Sequence, residues 1–297
     1  MPEFYEPQVL KRLQSVELSM LKDFKKLCDD YGLIYFGIGG TGIGALRHKG
    51  FIPWDDDIDI AMPRKDFERF LRFARREWKG KYYILNNKTN ENYPMMTTRL
   101  CKYGTEFREA VMKDVDCPFG IFLDLYVMDN LADGRIACQL QAWSAWVWSK
   151  LLVLSCMERP YLAQTGWKAE AIYLVCRAVH KAIRFLHIQP AIFRAHCEAA
   201  CRKYENRRTK RMAFLPDTNP FWNVIDREKM FPLAALEFED TTLFFTGDVK
   251  ELMERQYGDY MQMPPEEKRK THYPYRLRFT REESRNVYVC KGMCKGD

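Results

Sequence analysis

No uninterrupted apolar run in this 297-residue chain approaches the roughly 18 to 20 residues of a membrane-spanning helix. The nearest, Ala142 to Cys156, is interrupted by Ser144, Ser149 and Lys150, so a transmembrane protein is not expected. The opening residues, MPEFYEPQVLKRLQ, have no basic segment followed by an apolar one. A secretory signal is therefore not expected, and the chain reads as cytoplasmic. Internal repeats and low-complexity tracts are missing, which sets aside solenoids and linkers. Among ten cysteines there is no C-x-x-C knuckle. The two pairs at equal spacing, Cys197 with Cys201 (preceded by His196) and Cys290 with Cys294, read as thiols sharing a helix face. Zinc at either pair is the less favoured alternative.

What is present begins with charge. The net charge of +7 is unevenly spread: residues 134–216 hold 14 Lys and Arg against 4 Asp and Glu, or +10, leaving 7 − 10 = −3 for the rest. A basic block of that size suits an anionic partner, whether anionic lipid, an anionic polymer such as a phosphate-bearing glycan, or nucleic acid, or else is a solvated helical face. Aromatics at 14%, with 7 Trp and 16 Tyr, supply core and also faces on which a cation could stack.

Periodicity predicts a helix over Val9 to Tyr31, stopped by Gly32, then a short strand over Leu33 to Ile38. A second strand is expected over Asp57 to Ala61, and Pro63 opens a helix reaching about Trp78. Tyr82 to Leu85, Thr97 to Tyr103 and Gly120 to Val127 read as strands, and Ile136 to Met212 as helices. A hairpin over Ala235 to Phe238 and Leu243 to Phe245 is followed by a helix over Val249 to Tyr257. Asp248 serves as its N-cap and Gly258 as its stop. The fold class is α+β, with a small mixed sheet flanked by helices. Three segments are expected: a core over 1–133, a basic helical insertion over 134–216, and a C-terminal hairpin and helix over 217–297 completing the catalytic domain.

The chemistry is concentrated in IGGTGIGALRHKGFIPWDDDIDI, from Ile38 to Ile60. Four aspartates lie within five positions, although neighbouring carboxylates repel and burial worsens the repulsion. On an extended backbone Asp55, Asp57 and Asp59 share one face, and Asp56, Ile58 and Ile60 the other. Carboxylates converging in this way suit a hard divalent cation, Mg²⁺ or Mn²⁺, as one or two ions. Asp124, in the apolar stretch GIFLDLYVMD, is the third acid, either completing the cluster or taking the proton of an attacking hydroxyl.

Gly37, Gly39 and Gly42 match G-x-G-x-x-G on paper, but three acids on one face do not suit a ribose. No Gly-Lys-Ser/Thr follows, so a P-loop is excluded. Gly39, Gly40 and Thr41 instead read as a turn whose backbone approaches a phosphate. Arg47, His48 and Lys49 either neutralise a diphosphate or form a plain surface turn. Trp54 and Tyr126 lie near the acids in sequence and are candidate faces for a cation, or core.

These segments resemble the LicD family, the phosphocholine transferases related to fukutin. The resemblance rests on GGTGIGALRHKGFIPWDDDIDIAMPRKDFERF, FGIFLDLYVMD and LEFEDTTLFFTGDVKELMERQYGDYMQMPPEEKRKTH, in that order, from about Val9 to His272. Gly42-Ile43 departs from the family, which more often has two bulky aliphatics there. The family is similar to the nucleotidyltransferase superfamily. The resemblance implies that Gly39 and Gly40 form the turn, Asp57 and Asp59 bind metal, Asp124 is the third acid and Asp55 an outer ligand. It places Tyr257, Asp259 and His272 near substrate. It implies a CDP-alcohol donor, CDP-choline by analogy, and a hydroxyl acceptor on a cell-envelope glycan, teichoic acid or lipopolysaccharide, free or lipid-linked at the inner face of the membrane. No nucleic acid partner is expected. The rival reading is a D-x-D glycosyltransferase using a nucleotide-sugar, which would release a nucleoside diphosphate rather than CMP.

Overall fold

The computed structural model describes residues 5–162, 166–269 and 271–280, with the backbone alone of 288–289. Helical periodicity forms α1 (Pro7–Asp30), opened by a proline at the first turn, with Leu13, Met20, Leu21 and Phe24 fully buried. Two residues of strand, β1 (Phe36–Gly37), lead directly into α2 (Gly39–Ile43) and a π-helical turn over Gly44–His48. Strand β2 (Asp59–Pro63) starts two residues later than the sequence predicts, because Asp55 to Ile58 run as an irregular segment. It passes into α3 (Arg64–Glu77), followed by β3 (Tyr82–Leu85), β4 (Thr98–Lys102), β5 (Glu106–Glu109) and the ten-residue β6 (Phe122–Leu131).

Three helices follow: α4 (Arg135–Cys156), α5 (Trp167–Phe185) and α6 (Pro190–Arg202). The chain then returns through β7 (Arg211–Ala213), β8 (Val224–Asp226) and α7 (Arg227–Met230). The hairpin β9 (Ala234–Phe238) and β10 (Thr241–Phe245) precedes α8 (Val249–Tyr257), β11 (Pro274–Arg278) and β12 (Tyr288–Val289). Asp248 occupies the N-cap position of α8, but its side chain makes no capping hydrogen bond. Gly258 stops the helix with φ near 68°.

The sheet runs β1-β2-β6-β4-β3. β2 and β6 are parallel and β1 is antiparallel to β2, which is not the parallel crossover of a dinucleotide-binding fold. Strand β6 is long enough to serve twice. Its first part lies between β2 and β4, and its last three residues pair with β7. One core unites the ends of the chain, since Leu13, Phe24 and Ile60 pack with Phe238, Phe245, Val249 and Leu252. The helices α4 and α6 make a second core with Leu131, Ala132, Ala213 and Leu215.

Where these two cores meet, Arg64 holds Asp129 with both ends of its guanidinium, Nε to Oδ1 at 2.8 Å and Nη2 to Oδ2 at 2.5 Å. Asp129 keeps only 4% of its side-chain surface exposed. Burial pushes its pKa up and Arg64 opposes that shift. Arg64→Ala would strand a buried carboxylate and is expected to cost about 3 to 5 kcal/mol. Arg64→Met combined with Asp129→Asn should cost clearly less. Urea unfolding of the two variants checks this, and equal losses would refute it.

Candidate active site

The sheet register places the three charged groups in one row. Asp59 of β2 is opposite Asp124 of β6, and Asp124 is opposite Arg99 of β4. Residues in register on neighbouring strands point to the same side, about 4.8 Å apart. Arg99 Nε lies 3.3 Å from Asp124 Oδ1, and its Nη2 donates to Glu109 Oε1 at 2.6 Å. The Arg99 guanidinium also stands 3.7 Å over the Phe122 ring, and the residue is 3% exposed.

The glycine turn closes the end of this row. Ile38 N donates to Asp59 O, and Gly39 begins α2 with φ near +58°. A side chain at Gly39 would start 2.9 Å from Asp59 Oδ2, and one at Gly40 would start 3.0 Å from Asp55 Oδ2. Only glycine allows the backbone that close to the two carboxylates. Thr41 Oγ1 accepts from Asp59 N at 2.9 Å, so the third turn residue fixes the strand that carries the acid.

The alternation expected around the aspartates is present even where the chain is irregular. Asp56, Ile58 and Ile60 are fully buried, and Asp55, Asp57 and Asp59 are partly open. Asp56 is fixed by two hydrogen bonds. Its Oδ2 accepts from Tyr5 at 2.6 Å and its Oδ1 from His272 N at 2.9 Å. His272 Nδ1 lies 3.4 Å from Asp56 Oδ1 and 3.3 Å from Asp57 Oδ2. Desolvation works against the imidazolium, but the ring is half exposed, and Asp57 and Asp56 outweigh it and hold its pKa well above the usual range. Asp56, Asp57 and His272 form a group of three potential ligands with atoms within 4.8 Å of one another.

Burial, followed by repulsion from the other acids, raises the pKa of Asp55 and Asp59 well above the ordinary carboxylate value. Asp57 is pushed up to about 6 by burial, with His272 opposing and Asp56 and Asp124 adding. Asp124 is also raised by burial, although Arg99 counters it. The buried Asp59 Oδ1 has no hydrogen-bond partner. Carboxylate oxygens gathered in this way, one of them unpartnered, fit a hard divalent cation.

Sequence reasoning missed the back wall. Glu17 on α1 is fully buried and neither carboxylate oxygen has a hydrogen-bond partner. Burial, then repulsion from Asp57, Asp56 and Asp55, raises its pKa well above the ordinary carboxylate value. Beside it on α1, Gln14 Nε2 donates to Asp55 O at 2.9 Å. The helix that read as plain scaffold thus positions the acidic segment.

The other sequence candidates divide. Tyr126 is two residues beyond Asp124 on the same face of β6, edge-on to Phe214 at 5.0 Å. Tyr257 brings its hydroxyl to the glycine turn, 3.7 Å from where a Gly39 side chain would begin. It stands at 90° to Trp222 with ring centroids 5.7 Å apart, and Trp222 also escaped the sequence reading. Gln256 Nε2 ties α8 to that loop through Trp222 O and Asn223 Oδ1, both at 2.9 Å.

Arg47, by contrast, donates to the carbonyls of Tyr260 and Gln262, and its Nε to His48 Nε2. Burial and Arg47 lower the pKa of His48. Lys49 pairs with Glu237 at 3.0 Å on the exposed hairpin. The Trp54 ring is covered by the Arg269 guanidinium at 4.4 Å, and Asp259 is exposed in the turn after α8. Cys197 and Cys201 are buried between α6 and α4, with Cys197 donating to Ala145 O, while His196 stacks on Trp148. Cys290 and Cys294 lie outside the described residues.

Residues 32–116 match the model of the LicD/FKTN/FKRP nucleotidyltransferase domain. The chain is 29% identical over 279 residues to the lipopolysaccharide cholinephosphotransferase LicD of Haemophilus influenzae, covering 89% of this chain and 96% of that protein. It is 35% identical over 69 residues to an uncharacterised protein of Rickettsia typhi, which is 23% of this chain and 22% of that one. Over 47 residues it is 40% identical to an uncharacterised protein of Rickettsia prowazekii, 16% of this chain and 18% of that one.

Proposed function

We propose that this chain is a transferase of the LicD family, and that it moves phosphocholine, or a similar alcohol phosphate, from a CDP-alcohol to a glycan hydroxyl. CMP is the leaving group. The Haemophilus relative, aligned over nearly its whole length, is named for choline phosphate and lipopolysaccharide, which supports both halves of the reading. The observation that carries it is the row Asp59–Asp124–Arg99 closed by the glycine turn, with Asp57 and Asp55 alongside. A nucleotidyltransferase-like core, with residues 134–216 inserted and 217–297 completing it, is the domain reading we adopt.

Asp57, Asp59 and Asp124 would hold Mg²⁺ or Mn²⁺, with Asp55 outside them, and the ion would neutralise the diphosphate of the donor. The chain's own work is positioning. Gly39, Gly40 and Thr41 let the backbone approach the donor phosphates. Asp124, its pKa raised and its Oδ1 anchored by Arg99, accepts the proton of the acceptor hydroxyl. As that oxygen bonds to the phosphorus bearing the alcohol, the bond to the bridging oxygen breaks and CMP leaves with the electron pair. An acceptor carried on lipid would bring the chain to the inner membrane surface.

Release of CMP from CDP-choline, with a divalent ion and lipopolysaccharide, is the direct test. Release of a nucleoside diphosphate from nucleotide-sugars, and none of CMP from any CDP-alcohol, would replace this reading by the glycosyltransferase one. Trp222 and Tyr257 stand where a quaternary ammonium could meet aromatic faces. Trp222→Ala is expected to raise KM for CDP-choline about tenfold with kcat little changed. An unaltered KM would remove these rings from the donor site.

A further inference from the structure

Helix α5 needs one apolar face to fold, and it has two. Ala169, Cys176 and Ile183 form the buried face, with Ile183 packed against Leu152 and Phe193. At about 100° per residue, Trp167, Leu174 and Phe185 fall within about 20° of one another on the opposite side. They are 78%, 68% and 82% exposed, and Val175 and Leu186 beside them are more than 60% exposed. Ala171, Ala178 and Ala182 fill the spaces between and are also exposed. The stripe is about 27 Å long.

Charge says what covers it. Lys168 lies on one flank, and Arg177, Lys181 and Arg184 on the other, and all four are exposed. Glu170 is the single acid of the helix. Among the described residues Arg177 pairs with Glu158 while Lys181 and Arg184 have no ion-pair partner, and the helix belongs to the segment of charge +10. Trp, Leu and Phe on one face, bordered by cations, match a surface that lies in the headgroup region of an anionic bilayer. A protein partner would need acids to meet the same flanks, whereas a bilayer supplies both the anionic layer and the apolar one. No helix among the described residues is long and apolar enough to cross a membrane, so the contact is lateral.

We propose that the outer face of α5 docks this protein on anionic lipid, with Trp167, Leu174 and Phe185 entering the interface and Lys168, Arg177, Lys181 and Arg184 meeting the headgroups. The proposal is independent of which alcohol phosphate the active site transfers.

The test is flotation of the full chain with vesicles of phosphatidylcholine alone, or mixed with phosphatidylglycerol. Binding to the anionic vesicles only, lowered about tenfold in Leu174→Asp/Phe185→Asp and in Lys181→Glu/Arg184→Glu, is the expected result. The circular dichroism melt of each variant verifies folding. Should either variant melt early, Trp167→Ala/Phe185→Ala replaces it with the same expectation. Wild type that stays with the protein fraction, or variants that float equally well, would overturn the proposal. So would a dimer in light scattering that the aspartate variant dissociates, since the face would then be covered by a second copy.

Discussion

Asp59→Asn should lower CMP release on the order of a thousandfold and, at the same time, raise the melting midpoint of the metal-free protein by a few degrees. The two effects have one cause. Asp59 keeps one buried oxygen without a hydrogen-bond partner, and burial plus Asp57 and Asp124 disfavour its charge. An amide removes that repulsion and also removes the proposed metal ligand. Added Mg²⁺ or Mn²⁺ should raise the midpoint of wild type and leave the variant where it is. Asp57 gives the accompanying pH signature. Its pKa rises from 3.8 to about 6 on folding, so the folded state retains a proton that the unfolded chain has already released. Its contribution to stability therefore declines as pH rises from about 4 through about 6, by on the order of 2 to 3 kcal/mol. Midpoints of wild type and Asp57→Asn across that window should diverge as pH rises, with the variant the more stable. Parallel curves, or a variant less stable at neutral pH, would show that the acids are not held in mutual repulsion.

The acids and the glycines were legible because their meaning is local. Alternation at Asp55, Asp57 and Asp59 depends on backbone direction over a few residues, and it survives although the strand begins only at Asp59. Asp124 declared itself by its apolar neighbours, and the register that sets it beside Asp59 agrees with that reading. Glu17 was hidden for the converse reason. In VELSM it looks like any helix acid, and only the folding of residues 55–57 against α1 makes it a buried one. Arg99 and Trp222 likewise acquire meaning from partners 25 and 35 positions away, Asp124 and Tyr257. Arg47 and Lys49, which by sequence either neutralise a diphosphate or form a plain surface turn, engage the carbonyls of Tyr260 and Gln262 and the carboxylate of Glu237, partners too distant in sequence for local pattern to reveal.

Arg99→Met should be the most damaging single change outside the acids, costing about 3 to 5 kcal/mol and lowering the midpoint on the order of 10 °C. Arg99 is the guanidinium bonded directly to an acid of the row, and it also holds Glu109. Desolvation lowers its pKa, but Asp124 and then Glu109 outweigh that and keep it charged. Methionine would fill the space over Phe122 while leaving the buried Asp124 and the partly buried Glu109 without their cation. Adding Asp124→Asn to Arg99→Met should restore part of the stability and none of the activity, since one stranded charge disappears while the proposed proton acceptor is lost. Arg99→Lys separates charge from geometry. An ammonium is a single point, and it cannot reach Asp124 and Glu109 through separate nitrogens as the planar guanidinium does. It should retain part of the stability but lose most of kcat, because Asp124 would be neutralised without being aimed. Full activity in Arg99→Lys would mean that Asp124 needs only a nearby positive charge, and the fixed direction given to it by the sheet row would have no part in the reaction.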